Sequence, residues 1–478
     1  MFARRYAGGG ATRYSVNPFG SDNNTPCQDV GNRHCGCNPA NSISIYKLVF
    51  KGNYQEDNMN HSKHQHKHFR HTHRLGRWLP SDPKHLNQWL TKAVEAAEKK
   101  KAPFHPVVDE FRRMIENDPE IYMFFTRMFE EQDALAPPPG SGDIKLKDYQ
   151  QMLVVLNHIL TSAPEFNATG MVGTPINAIL DFPMITQAGV AAFLSPKVNT
   201  MLRKVLKVWT EYLDSADSRY VLNSSQNGWL SPAALQAVRM EDFIHDPKAP
   251  YFGFKSWNDF FIREFTPGAR PVAEPDNHQV IVSACESAPF AISTDVKEQD
   301  TFWIKSQPYS LRHMLDGLFV DEFVGGTVYQ AFLSAENYHR WHSPVSGTIR
   351  KIHHVQGTYY AEAPSEGFDP VGPNNSQGYI AHTATRALVF IDAEGPVGLM
   401  CLLAVGMSEV SSCMVTVEEN SKVKKGEQIG YFQFGGSTHC LVFRKGVISQ
   451  FAAQAIPQGP NGADSTIVKV NSLLAVTN

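Results

Sequence analysis

Hydrophobic and polar positions divide the chain into three stretches of different grammar. From about residue 81 to 265, apolar residues recur at three- and four-residue steps in LNQWLTKAVEAAEKK (86–100), VVDEFRRMIENDPEIYMFFTRMFEEQ (107–132), LKDYQQMLVVLNHIL (146–160) and KVNTMLRKVLKVWTEYLDS (197–215). That spacing turns one face of a helix toward a core and predicts a helical domain. The segment ALAPPPGSGD (134–143) predicts a break between helices. From 266 to 478 the pattern changes to short β-rich runs set off by turn residues: QVIVSAC, TFWIKS, GGTVYQAFL, SGTIRKIHHV, RALVFID, VGLMCLLAVGM and CMVTVEE. These predict a strand-rich domain of packed sheets or a barrel-like fold. Its most apolar run, Gly398 to Met407, is about half the ~20 residues a membrane helix needs and reads as a buried strand. Residues 1–80 are rich in Gly, Asn, Ser and His with little apolar periodicity, and predict a low-complexity, disordered leader. The expected fold class is α+β, helical first and strand-rich after.

Composition narrows the class of function. A chain of 478 residues is too long for one small core, and 42% hydrophobic with 19% charged residues is ordinary for a soluble globular protein. A formal net charge of -3 gives no basic excess for nucleic acid or an anionic membrane surface. Seven cysteines, at 27, 35, 37, 285, 401, 413 and 440, fit a reducing compartment better than a disulfide scaffold. The expected location is the cytoplasm. Arg4, Arg5 and Arg13, with no acid before Asp22, faintly echo a mitochondrial transit peptide, against which the leader is poor in Ser. The tract HSKHQHKHFRHTH (61–73) has no spacing that closes a tetrahedral metal site, so it reads as a solvated tail and no metal is expected. Neither a Gly-x-Gly-x-x-Gly strand–turn–helix segment nor a Walker loop occurs, which removes the usual nicotinamide and nucleotide sites.

Three short segments carry candidate chemistry. In YFQFGGSTHC (431–440), Gly435 and Gly436 give the backbone freedoms closed to other residues. A strained peptide there would expose its carbonyl to the Ser437 hydroxyl, although most Gly-Gly-Ser tripeptides are simply turns. In AENYHRWHSPVSG (335–347), His339 and His342 lie three apart, and imidazole is the usual proton carrier near neutral pH. The pair is not a helical zinc motif, because Pro344 and Gly347 end the segment at once. In VIVSACESAPF (280–290), Glu286 follows a β run in apolar surroundings, where a strand end can present a carboxylate to a cleft.

Taken together and in this order, WNDFFIREFTPGARP (257–271), SACES, YHRWHSP and GGST resemble the phosphatidylserine decarboxylase family. The resemblance implies a precursor that cuts itself between Gly436 and Ser437 and carries a covalent pyruvoyl group made from Ser437. It implies that His342 is the general base on Ser437 and that Glu286 orients it, in the logic of a Ser-His-acid relay. It further implies that His339 assists decarboxylation, and that chains 1–436 and 437–478 stay together as partners. The usual family segment is Ser-Pro-Ala-Asp-Gly, whereas this chain has Ser283, Ala284, Cys285, Glu286 and Ser287. That variant, with YSLRHML (309–315) and TYYAEAPS (358–365), is similar to the fungal branch, that of the psilocybin pathway, which decarboxylates free L-tryptophan in specialised metabolism. The implied function is release of CO2 from a free aromatic L-amino acid, L-tryptophan to tryptamine; the alternative is phosphatidylserine to phosphatidylethanolamine. A reading from another class is a carrier module, since SPVSGTIRKI and VKKGEQIGYF resemble biotinyl and lipoyl hammerhead turns. It lacks a lysine at a hairpin tip in a Met-Lys-Met setting.

Overall fold

The computed structural model describes residues 79–80, 82–133, 145–168, 170–301, 308–363, 375–409, 412–433 and 437–478. The leader with its histidine tract, the 134–143 break, most of TFWIKS and Gly436 lie outside these described residues. The first half is helical: α1 (Pro83–Lys100), α2 (Pro106–Asn117), α3 (Pro119–Gln132), α4 (Tyr149–Ile159), α5 (Pro175–Met184), α6 (Gln187–Leu194), α7 (Pro196–Leu213), α8 (Pro232–Val238) and α9 (Trp257–Phe261). Six of these begin on proline, whose missing N–H is no loss in a first turn and whose φ is already helical. The continuous 107–132 periodicity is interrupted for the same reason. Pro119 opens α3, and the Asp118 carboxylate accepts the Glu120 and Ile121 amides as its N-cap.

Strands then follow: β1 (Val280–Val282), β2 (Ala288–Thr294), β3 (Thr327–Leu333), β4 (Arg340–His342), β5 (Gly347–Val355), β6 (Arg386–Ala393), β7 (Leu399–Gly406), β8 (Ser412–Val415), β9 (Lys422–Val423), β10 (Gln428–Gln433), β11 (Ser437–Phe443), β12 (Ile448–Phe451) and β13 (Leu473–Thr477). Short helices α10 (Leu311–Met314), α11 (Val320–Phe323) and α12 (Gln377–Thr383) interrupt them. YSLRHML is thus partly helical, which the strand-rich reading of this half did not anticipate.

A seven-stranded sheet in the order β2-β3-β11-β7-β6-β5-β9 forms the centre, with two three-stranded sheets, β1-β13-β12 and β4-β10-β8, beside it. Alternation splits the central strands between two cores. Val328 and Phe332 of β3 join the helices in one apolar cluster, while Tyr329, Ala331 and Leu333 join Trp341, Ile429 and Phe432 of the small sheet in the other. Both faces of the central sheet are therefore covered. This explains why β7 reads as an unbroken apolar run rather than an alternating one. The described residues all belong to one compact unit of the chain, and no helix among them is long and apolar enough to cross a membrane.

Candidate active site

Ser437 is the first residue of β11, and its Cα partners are Leu333 at the end of β3 and Gly406 at the end of β7. It is wholly buried, and its hydroxyl makes no hydrogen bond. Buried hydroxyls are normally satisfied, so an idle one between two strand ends calls for an explanation. β10 ends at Gln433, just before it in the chain, and carries the neighbouring histidines: the Phe432 amide donates to the His339 carbonyl (2.9 Å), and Gln428 stands opposite His342. The segment from Leu333 to His342 thus leaves the Ser437 end of the central sheet and runs antiparallel to β10, so that His339 lies nearer the Gln433 end and His342 nearer Gln428.

The His342 ring has two defined partners. Nδ1 lies 2.7 Å from the Gly426 carbonyl, which can only accept, so Nδ1 carries the proton. Nε2 then accepts from the Tyr338 hydroxyl at 2.8 Å. Burial lowers the His342 pKa, the Gly426 bond opposes this, and nearby Arg340 adds to the fall. A neutral ring with its basic nitrogen on Nε2 is the form a general base requires. His339 is wholly buried and stacks on Phe261 at 4.1 Å between centroids. Burial first, and Arg263 second, hold its pKa well below the usual value.

Glu286 is buried too, but its carboxylate meets Arg270, 2.6 Å from Nε and 2.5 Å from the terminal nitrogen. Burial still raises its pKa, outweighing the pull of Arg270. Backbone bonds, not that carboxylate, tie this segment to the histidines. The His342 amide donates to the Ala284 carbonyl (2.8 Å), and the Asn337 side chain donates to the Glu286 carbonyl (3.0 Å). The structure thus places His339 beside Phe432 near the end of β10 and His342 beside Gln428 and Ala284, while the Nδ1 position expected for Glu286 is filled by Gly426.

Residues 257–271 act as the brace for this cluster. Besides Phe261 on His339 and Arg270 on Glu286, the Arg263 guanidinium donates to the Glu336 carbonyl (2.8 Å), and Ile262 accepts from Arg340 (2.6 Å). Phe265 lies 4.1 Å from Tyr338. The partners of Arg270, Tyr338 and Gly426 escaped the sequence reading. Arg270 and Tyr338 stood inside quoted segments, but nothing in their spacing named a partner. His439, two residues past Ser437 and on the same face of β11, also escaped it; it is wholly buried against the Ala331 carbonyl.

Four buried histidines give the protein an acid limit. Burial is the leading cause for each: His339 and His342 are lowered, and His382 and His439 are pushed down to about 4. The unfolded chain takes up protons near 6.5 where the folded one does not, so stability is full above that pH and drains as pH falls toward 4. His382 and His439 alone account for a loss of about 3 kcal/mol each by pH 4. The melting temperature is expected to drop steadily from pH 7 to pH 5; a flat profile over that range would contradict these environments.

Among the described residues no three His, Cys, Asp or Glu side chains cluster as a metal site. The unengaged Ser437 hydroxyl at a strand start, with neutral imidazoles nearby, fits a residue that becomes a covalent terminal carbonyl group.

Comparison with known proteins agrees with this arrangement. Family models described as phosphatidylserine decarboxylase match residues 105–238 and 257–460. An L-tryptophan decarboxylase of Psilocybe cubensis is 36% identical over 394 residues, covering 77% of this chain and 85% of the relative. Decarboxylase iboD of Amanita muscaria is 42% identical over 325 residues, covering 63% and 91%. Phosphatidylserine decarboxylase proenzyme 3 of Schizosaccharomyces pombe is 36% identical over 210 residues, but this covers 43% of the chain and 20% of that relative. With most of its length matched to such enzymes, this chain belongs to the phosphatidylserine decarboxylase family and is a carboxy-lyase.

Proposed function

We propose that the chain cuts itself between Gly436 and Ser437 and, as the cut enzyme, releases CO2 from a free aromatic L-amino acid, converting L-tryptophan to tryptamine. The observation that carries the cut is the buried Ser437 hydroxyl with no hydrogen-bond partner. His342 takes the Ser437 proton on Nε2 once Tyr338 yields that nitrogen, and the oxygen attacks the Gly436 carbonyl to form an ester. Gly426 keeps the ring in the right tautomer, the duty usually given to an acid. Elimination leaves a carboxyl at Gly436 and a dehydroalanine at 437, which takes up water and loses ammonia to become the pyruvoyl group. That group supplies an electron sink for the bond broken as CO2 leaves. Glu286, pinned by Arg270, fixes the 283–287 segment on which the His342 amide rests. His339, wholly buried against Phe261, is the residue we assign to move a proton to the substrate carbon.

The aromatic substrate rests on the L-tryptophan decarboxylase of Psilocybe cubensis, matched over most of its length. We place the enzyme in the cytoplasm, with chains 1–436 and 437–478 as mutual partners. The test is amine release by the purified protein. Tryptamine is expected from L-tryptophan, and no phosphatidylethanolamine from phosphatidylserine vesicles. The lipid product without tryptamine would overturn the substrate.

A further inference from the structure

A second buried acid lies at the same end of the central sheet. Gly406, the Cα partner of Ser437, ends β7, and Glu409 follows three residues later. Its Oε1 accepts the Ile176 amide (2.5 Å) and the Asn177 amide (2.9 Å) at the start of α5. The Ser408 hydroxyl donates to Asn177 Oδ1 (2.8 Å), so this turn is locked to the helix from two positions. Glu409 Oε2, by contrast, is buried and has no hydrogen bond. The same is true of the Tyr360 hydroxyl. The two are neighbours: the Ser408 amide donates to the Tyr359 carbonyl (3.1 Å), and the charge of Glu409 adds to the burial that raises the Tyr360 phenol. Phe193 presents an edge to the Tyr360 ring.

Burying a carboxylate oxygen and a phenol without partners is costly, and a bound donor would offset that cost. Burial raises the Glu409 pKa against the pull of backbone amides, and a donor placed on Oε2 would favour the ionised, accepting carboxylate. The missing group is then a neutral hydrogen-bond donor on an apolar body, not a second anion. On the reading above, a substrate bonded to residue 437 has its amine engaged there, which leaves its side chain to meet other groups.

We propose that Glu409 Oε2, with Tyr360, receives the ring N–H of the substrate's aromatic side chain and so selects an indole over a donor-free ring. This rests on the amino-acid reading above and names the residues that give it selectivity.

The test compares L-tryptophan with its benzothienyl analogue, in which sulfur replaces the ring N–H at nearly the same volume. The wild-type enzyme should prefer tryptophan by about 10- to 100-fold in kcat/KM, the scale of leaving a buried acceptor unpaired. In Glu409→Gln the amide oxygen must stay on the α5 amides, which turns the NH2 toward the ligand and sets donor against donor. That variant should lose the preference to within about threefold while still yielding the 437–478 chain by intact mass. Tyr360→Phe, which keeps the ring packing, should narrow the ratio as well. It is also the deciding variant should Glu409→Gln fail to mature. An unchanged ratio in a mature variant overturns the assignment of Glu409. A wild-type enzyme that matures but makes no tryptamine overturns the substrate reading together with it.

Discussion

Ser437→Ala is expected to leave a single uncut chain of 478 residues and no measurable amine release. The hydroxyl is both the attacking group and the precursor of the terminal carbonyl, so one substitution removes the cut and the electron sink together. Loss of a nucleophile in related logic costs about 10⁶-fold, and here nothing is left to carry out the second reaction. Packing should survive. The Ser437 side chain makes no hydrogen bond, so alanine removes no bonded partner and leaves no other group unpaired. The variant should therefore melt close to the wild-type precursor while showing only one species by mass. A Ser437→Ala protein that still splits into 1–436 and 437–478, or still turns over tryptophan, would sink the cofactor assignment.

His339→Ala is expected to separate the two reactions. The variant should mature normally, because the base proposed for Ser437 is His342, but decarboxylation should fall by about 10²- to 10⁴-fold, the usual worth of a placed proton carrier. His342→Ala should show the opposite, with the precursor accumulating uncut. The pH dependence sharpens this. Burial and Arg263 hold the His339 ring neutral well below its ordinary range, so kcat should show no alkaline limb near pH 6.5 from that residue. Single-turnover amine release and intact mass on the two variants distinguish the roles. A His339→Ala precursor that stays uncut would exchange the assignments.

Much of the fold can be read along the chain because its signals are local. The apolar steps of 86–100 and 197–215 match α1 and α7, and the apolar run at 398–407 contains β7. What escaped was decided by distant partners. Whether 311–314 coils into α10 depends on its neighbours, not its alternation, and the strand order around β11 has no linear signature. The site shows the same division. Motif order named Ser437, His339, His342 and Glu286 as candidates. It did not show that the Glu286 carboxylate would go to Arg270, or that a plain carbonyl at Gly426 would hold His342. A backbone carbonyl has no residue identity to read. Glu409 was invisible for a related reason: its significance is the partner it lacks.

The position of β11 has a consequence for the life of the enzyme. It lies between β3 and β7, and β12 and β13 from the same 437–478 piece pair with each other and with β1. Once the backbone is cut before Ser437, this piece remains threaded through the centre of the molecule. Unfolding then separates two polypeptides, and refolding becomes a second-order encounter that dilution defeats. The peptide that generated the reactive terminus no longer exists in either fragment. Each molecule is thus matured once, and lost activity must be replaced by new synthesis rather than recovered by renaturation.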